Sequence, residues 1–175
     1  MSSDTARHDA LVGRLREKFG GAVLDVDRSF DDCAVMVDSK SVHDVLAHLK
    51  HEHQFNLLLD IAGVDCMNLP VSRERFELVY ILYSVPGNLR VRIETPVPEL
   101  DMDVPTVTDL WKSANWAERE AFEMFGFNFT GHPCLKRLLT HHEFVGHPLR
   151  KDYPIMGGQW CTSTSDLTEE LNEPR

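Results

Sequence analysis

The stretch FELVYILYSV (Phe76–Val85), PGN (Pro86–Asn88), LRVRIET (Leu89–Thr95) decides the fold. Its first run is rich in β-branched and aromatic residues, which suit a pleated, packed surface. Pro86, Gly87 and Asn88 then turn the chain. On the return run Leu89, Val91 and Ile93 alternate with Arg90, Arg92 and Glu94. Side chains of a strand alternate between its two faces, so one face of this hairpin is buried and the other is wet.

The segments before the hairpin supply the covering layer. Asp4 to Phe19 reads as an amphipathic helix with Leu11, Leu15 and Phe19 at four-residue spacing and Val12 alongside, closed by Gly20-Gly21. Ala22 to Asp27 and Cys33 to Val37 are short β-prone runs around a polar turn, SFDD. Ser39 or Ser41 opens a second helix whose Val42, Val45, Leu46 and Leu49 mark a buried stripe. FNLLLDIAGV (Phe55–Val64) is a strand covered on at least one face. The order α-β-β-α-β-β-β predicts an α+β fold, a two-layer sandwich with helices on one face of a mixed sheet. Pro96, Pro98 and Pro105 punctuate an acidic connector (Glu99, Asp101, Asp103), which reads as a surface linker to a turn around Asp109, Leu110 and Trp111. The predicted organisation is an α+β domain over 1–96, a connector and capped helical segment over 97–126, and an extended, partner-wrapping tail over 127–175.

A chain of 175 residues fits one domain with appendages, and 42% hydrophobic with 26% charged residues is an ordinary globular composition. The formal net charge of −10 argues against a general binder of nucleic acid or anionic membranes. No apolar run approaches the about 18 residues of a membrane helix, and MSSDTARHDALVGRL has no apolar targeting core, so membrane association is expected only through partners. Cys33, Cys66, Cys134 and Cys161 stand singly, which fits buried, reduced thiols rather than an iron–sulfur or zinc site. His43, His48, His51 and His53 ride the second helix or its exit without a carboxylate motif that would make them metal ligands. Neither a Gly-rich phosphate loop nor a nucleophile elbow is present.

The rest of the information lies in NWAEREAFEMFGFNFTGHPCLKRLLTHHEFVGHPLRKDYP (Asn115–Pro154). Asn115 is a good N-cap, Glu118 three residues on completes a capping box, and Gly126 supplies the stop. Ala117, Ala121, Phe122, Met124 and Phe125 form an apolar arc opposite Arg119, Glu120 and Glu123. Glu118 lies inside the apolar arc, either as a satisfied cap or as an acid with a raised pKa; the capping-box spacing favours the cap. Beyond Gly126 the period is lost and an echo appears, FTGHP (Phe129–Pro133) and FVGHP (Phe144–Pro148), each followed closely by a basic pair. Irregular, proline-punctuated and basic on an acidic chain, this segment reads as a strap laid over another protein. The candidate partner contacts are Arg119, Glu120, Glu123, His132, Lys136, Arg137, His147, Arg150 and Lys151. A catalytic constellation would need Glu118, Glu120 or Glu123 with His132, His141, His142 or His147 in a pocket that tunes them. The sequence signals no such pocket, and no catalytic, metal or cofactor-binding residue is assigned.

The blocks EREAFEMFG, FTGHPCLKR and FVGHPLRKDYP closely resemble the hallmark of the 30 kDa subunit family of respiratory complex I, the subunit lettered C in the bacterial NADH:quinone oxidoreductase. The match is close from about Trp111 to Pro154; Glu123 stands where many relatives carry Asp. The resemblance implies a non-catalytic structural subunit in the peripheral arm, on the cytoplasmic side of a bacterial inner membrane. It implies packing on the quinone-site subunit, lettered D, near the one lettered B. FMN, Fe–S clusters and quinone would then be held by neighbouring subunits and none by this chain. Relatives also serve hydrogenase, formate-linked, ferredoxin-linked and F420-linked complexes. The reading from a different class is a stand-alone metal-dependent hydrolase using the His-rich tail with Glu118 or Glu123.

Overall fold

The structure, a computed structural model, describes residues 3–29, 33–69 and 73–155. Helix α1 (Ser3–Phe19) buries Leu11, Val12 and Leu15, the stripe its spacing predicts. A short 3-10 turn (Gly20–Ala22), with Gly20 at φ +47°, delivers the chain to β1 (Val23–Asp27). Strand β2 (Ala34–Val37) pairs antiparallel with β1, and α2 (Val42–Glu52) follows Ser41 with Val42, Val45, Leu46 and Leu49 all buried. Strands β3 (Leu57–Asp65), β4 (Phe76–Ser84) and β5 (Leu89–Val97) complete a sheet of order β1-β2-β5-β4-β3. β2 and β5 run parallel while the other neighbours run antiparallel, so the sheet is mixed, as predicted.

Register sorts the side chains. Tyr80 lies opposite Ile61 and Ile93, Leu82 opposite Val91, and Val35 beside Ile93. Directly opposed residues share a face, and all of these are buried. Val79, Ile81 and Tyr83 fall on the other, half-exposed face with Arg92 and Glu94.

Two sequence-based boundaries move. The chain after Pro96 is not a surface linker: Val104 and Val107 are fully buried, and Leu110 and Trp111 nearly so. Strand β6 (Asp103–Pro105) pairs in parallel with β7 (Asn128–Thr130), and α3 (Ala114–Phe125) bridges the two while packing against β3. The ring of Phe125 lies directly on Gly63, where a Cβ would collide with it. Phe127 meets Phe76 edge-on at 6.0 Å and is flanked by Phe125 and Phe129. The core therefore runs through both expected boundaries, at 96 and at 126, because alternating aromatics immediately after the helix return to the sheet.

The helix start also differs. Its N-cap residue is Ser113, Asn115 lies inside the first turn, and no side chain closes the cap. Ser113 Oγ instead donates to Leu58 O at 3.4 Å, and Glu118, on the buried side of the helix, points at the strand exit rather than back at Asn115. The expected cap role of Asn115 and Glu118 is thus replaced by a tertiary one. Gly126 is the C-cap, in the left-handed region at φ +92°. The expectation for the segment beyond Pro154 falls largely on residues 156–175, including Cys161, which lie outside the described residues.

Candidate functional site

Helix α3 carries two buried carboxylates, and each holds a different piece of irregular chain. Glu118 is fully buried; its Oε1 accepts from Val107 N at 2.7 Å and its Oε2 from Thr106 Oγ1 at 2.5 Å. Burial pushes its pKa up to about 7, opposed by these two bonds and by His43, and assisted by Asp109. His132 Nε2 stands 4.0 Å away, with both side chains inaccessible to solvent. The His132 ring accepts from Cys134 N through Nδ1, so its proton sits on Nε2, which donates to Asn115 O at 3.2 Å. The first Gly-His-Pro thus binds the opening turn of α3.

Glu123 is the second anchor. Its carboxylate accepts from Leu138 N at 2.6 Å, Leu139 N at 2.8 Å, Thr140 N at 2.5 Å and the Thr140 hydroxyl. Burial alone would raise its pKa, but the Thr140 hydroxyl and the three amides outweigh that and hold it below the usual glutamate range. Arg119 reaches the same loop from one turn earlier, donating to Lys136 O at 2.9 Å and Arg137 O at 2.8 Å. The residues after the first Gly-His-Pro are therefore wound onto the helix that precedes them.

The second Gly-His-Pro closes the other end. The last carbonyls of a helix lack intrahelical donors. Here His147 Nδ1 donates to Glu123 O at 2.9 Å, Leu149 N to Met124 O at 3.2 Å, and Arg150 Nε to Phe125 O at 2.6 Å. Gly126 is required twice over: φ is positive, and a Cβ would lie 2.6 Å from Arg150 Nη2 and 2.8 Å from His147 Nε2. The Arg150 guanidinium also lies over the Phe76 ring, 4.9 Å from its centroid. Lys151 N donates to the buried Asp65 Oδ2 at 2.8 Å, and Arg75 bridges Asp65 at 3.3 Å and Asp152 at 2.8 Å.

The nine candidate partner contacts separate cleanly. Arg119, Glu123, His132, His147 and Arg150, expected to meet a partner, turn inward and hold the chain's own helix. Arg137 is half-buried, donating to Thr140 Oγ1 at 3.1 Å and facing the Phe144 ring. Glu120, Lys136 and Lys151 are exposed. His141 packs edge-on against Phe144, and His142 is exposed. Among the described residues, no three His, Cys, Asp or Glu side chains converge closely enough to hold a metal ion. The clamp leaves large apolar groups outside: Trp116 on α3 and Leu139 and Leu149 on the wrapped segment are each more than half exposed.

Sequence reading missed Thr106, Thr140, Asp65, Arg75 and Asp152. One signal was available. Asp65 continues the buried period-two face of Ile61 and Gly63, and a carboxylate on that face requires a partner.

An α+β domain with a five-stranded mixed sheet and a separate two-strand pair, whose last helix is gripped at both ends by a repeated Gly-His-Pro segment, is the class these features define. A family model described as "Respiratory-chain NADH dehydrogenase, 30 Kd subunit" matches residues 35–159, and the chain belongs to that family. The NADH-quinone oxidoreductase subunit lettered C in Geobacter sulfurreducens is 41% identical over 152 residues, covering 87% of this chain and 93% of the relative. The corresponding subunit of Trichlorobacter lovleyi is 42% identical over 155 residues, 89% and 93% of the two chains. Among solved structures, a trypsin-resistant fragment of Nqo5 (1–134) superposes with a TM-score of 0.65 at 37% identity, covering 74% of this chain and 99% of the fragment. A chain of an archaeal membrane-bound sulfane sulfur reductase shares the fold, with a TM-score of 0.65 at 24% identity, covering 86% of this chain and 87% of that one. No helix among the described residues is long and apolar enough to cross a membrane.

Proposed function

We propose that this chain is a non-catalytic scaffold subunit of the peripheral arm of a bacterial NADH:quinone oxidoreductase. It packs on the quinone-site subunit, lettered D, close to the one lettered B, on the cytoplasmic side of the inner membrane. FMN, the Fe–S clusters and quinone belong to neighbouring subunits, and this chain holds none of them. Its task is to keep the quinone-site subunit in shape while electrons pass from NADH to quinone. The single observation that supports this reading is the division of the motif segment. Its inward groups close the chain's own helix, while Trp116, Leu139 and Leu149 and the lysines Lys136 and Lys151 stay exposed. Exposed apolar groups and lysines on a segment already bonded to its own helix suit docking against a neighbour that offers apolar and acidic groups, because less ordering entropy opposes binding. The Glu118 and Glu123 carboxylates, which a hydrolase would need free, are engaged by backbone amides.

The test is a tagged full chain expressed in a host lacking its own copy, carrying Trp116→Glu with Leu139→Glu. Both positions are exposed, so the variant should melt like wild type. It should nevertheless lose the co-purifying subunits lettered D and B and the membrane NADH:quinone activity. Normal assembly and turnover of the variant would overturn the docking assignment.

A further inference from the structure

Away from the clamp, the structure holds a cavity of about 250 Å³ between α1, the exit of α2 and the β4–β5 turn. Its walls are apolar, with Leu11, Phe55 and Leu89. Its polar lining is mainly cationic or neutral-donor: Arg7, Arg14 and His53, without any carboxylate. Arg7 is committed, donating to Gly87 O at 2.7 Å and lying 3.6 Å from Asp4. Arg14 has no ion-pair partner among the described residues; the ionisable group it acts on is His53, which carries the same sign when protonated.

Basic side chains continue beyond the cavity. His53 meets His48 ring to edge at 5.0 Å, and His48 Nδ1 accepts from Lys18 Nζ at 2.9 Å. Both histidines are held below their ordinary pKa, first by burial; after that His53 is lowered by His48 and Arg14, and His48 by Lys18. Glu52 is the one acidic group that opposes this effect at both rings. On a chain of net charge −10, the cationic Arg7, Arg14 and Lys18 of α1 and the rings of His48 and His53 at the end of α2 gather at one pocket and its rim. Like charges brought together at a concave apolar site focus a positive potential there, and an anion relieves it.

We propose that this cavity is a binding site for a small amphipathic anion, with a carboxylate or phosphate head on an apolar body. The body enters between Leu11, Phe55 and Leu89, and the head meets Arg14 and the ring of His53. The volume lies just under the about 300–1,000 Å³ of ordinary small-molecule sites, so the body is short, the size of a medium acyl chain or one aromatic ring. Arg supplies planar, paired donors suited to either head group. The site is independent of the clamp and of the docking face, so its failure leaves the proposed function untouched.

The experiment is calorimetric titration of the full-length chain with octanoate and octyl phosphate, beside inorganic phosphate and 1-octanol as head-only and body-only controls. At least one amphiphile should bind saturably at one site, at least ten-fold more tightly than either control. Arg14→Glu, at an exposed position, should keep the wild-type melting temperature and weaken that binding at least ten-fold. Leu89→Trp, which fills the cavity, should abolish it while the chain stays folded. Absence of saturable binding by both amphiphiles at millimolar concentration would overturn the proposal. Controls that bind as well as the amphiphiles, or a folded Arg14→Glu that binds as wild type does, would also overturn it.

Discussion

Replacing Glu118 with Gln alters one terminal group and removes one ionisation. In the folded chain Glu118 has a pKa of about 7 against an ordinary 4.5, because burial disfavours its charged form more than Thr106, Val107 N and His43 favour it. The folded state therefore holds this proton more tightly than the unfolded state does. The resulting stabilisation is complete below about pH 4.5 and is lost as pH rises through 7. Each unit of pKa difference corresponds to about 1.4 kcal/mol, which gives roughly 3 kcal/mol over the whole range and about 2.5 kcal/mol between pH 5 and pH 8. Gln has no such titration. It keeps a carbonyl oxygen for Val107 N or Thr106 Oγ1 but loses one of the two bonds, at a cost of about 1 kcal/mol. Urea unfolding of both proteins across this pH range isolates the effect, since Asp109, His43 and His132 are common to both. The stability difference, wild type minus variant, should fall by about 2.5 kcal/mol from pH 5 to pH 8 and reverse sign on the way. A difference independent of pH would refute the reasoning, showing that Glu118 is solvated or paired in a way its surroundings do not reveal.

Glu123→Ala should cost about 3 kcal/mol in urea unfolding, because it leaves three loop amides without their acceptor. Gly126→Ala should cost about 1–3 kcal/mol from its positive φ, and more if Arg150 and His147 cannot move away; thermal unfolding reads this directly. A chain ending at Gly126 should lose cooperative unfolding by calorimetry, since it lacks the buried Phe127 and Phe129 and the strand that pairs with β6. A cooperative transition near that of the full chain would place the core boundary before the helix end after all.

The sandwich was readable because its strands and helices repeat with their own periods. Leu82 and Val91, or Val45 and Leu49, announce their faces without reference to anything distant. The clamp was legible only as chemistry without a location. Two Gly-His-Pro echoes and their basic pairs marked a segment built for contact, yet nothing local states that the surface is the chain's own α3. His147 and Arg150 bond carbonyls more than twenty residues away, and Leu138 to Thr140 meet a carboxylate at least fifteen residues upstream. Glu118 misled for a related reason. The Asn115–Glu118 spacing fits a capping box, but one buried arc of the helix contained both apolar groups and that carboxylate, which bonds the amide of Val107 instead. Alternation in Phe125, Phe127 and Phe129 was a strand signal too short to stand out beside the preceding helix.

Amide hydrogen exchange on the isolated full-length chain tests most directly whether the motif segment belongs to its own domain. The amides of Leu138, Leu139, Thr140 and Leu149, bonded to Glu123 and to Met124 O, should be protected in the absence of any other subunit, and Glu123→Ala should release the first three together. Exchange of these amides at the rate of an unstructured peptide, with protection appearing only when neighbouring subunits are added, would contradict the self-clamped helix and restore a strap that folds on its partner.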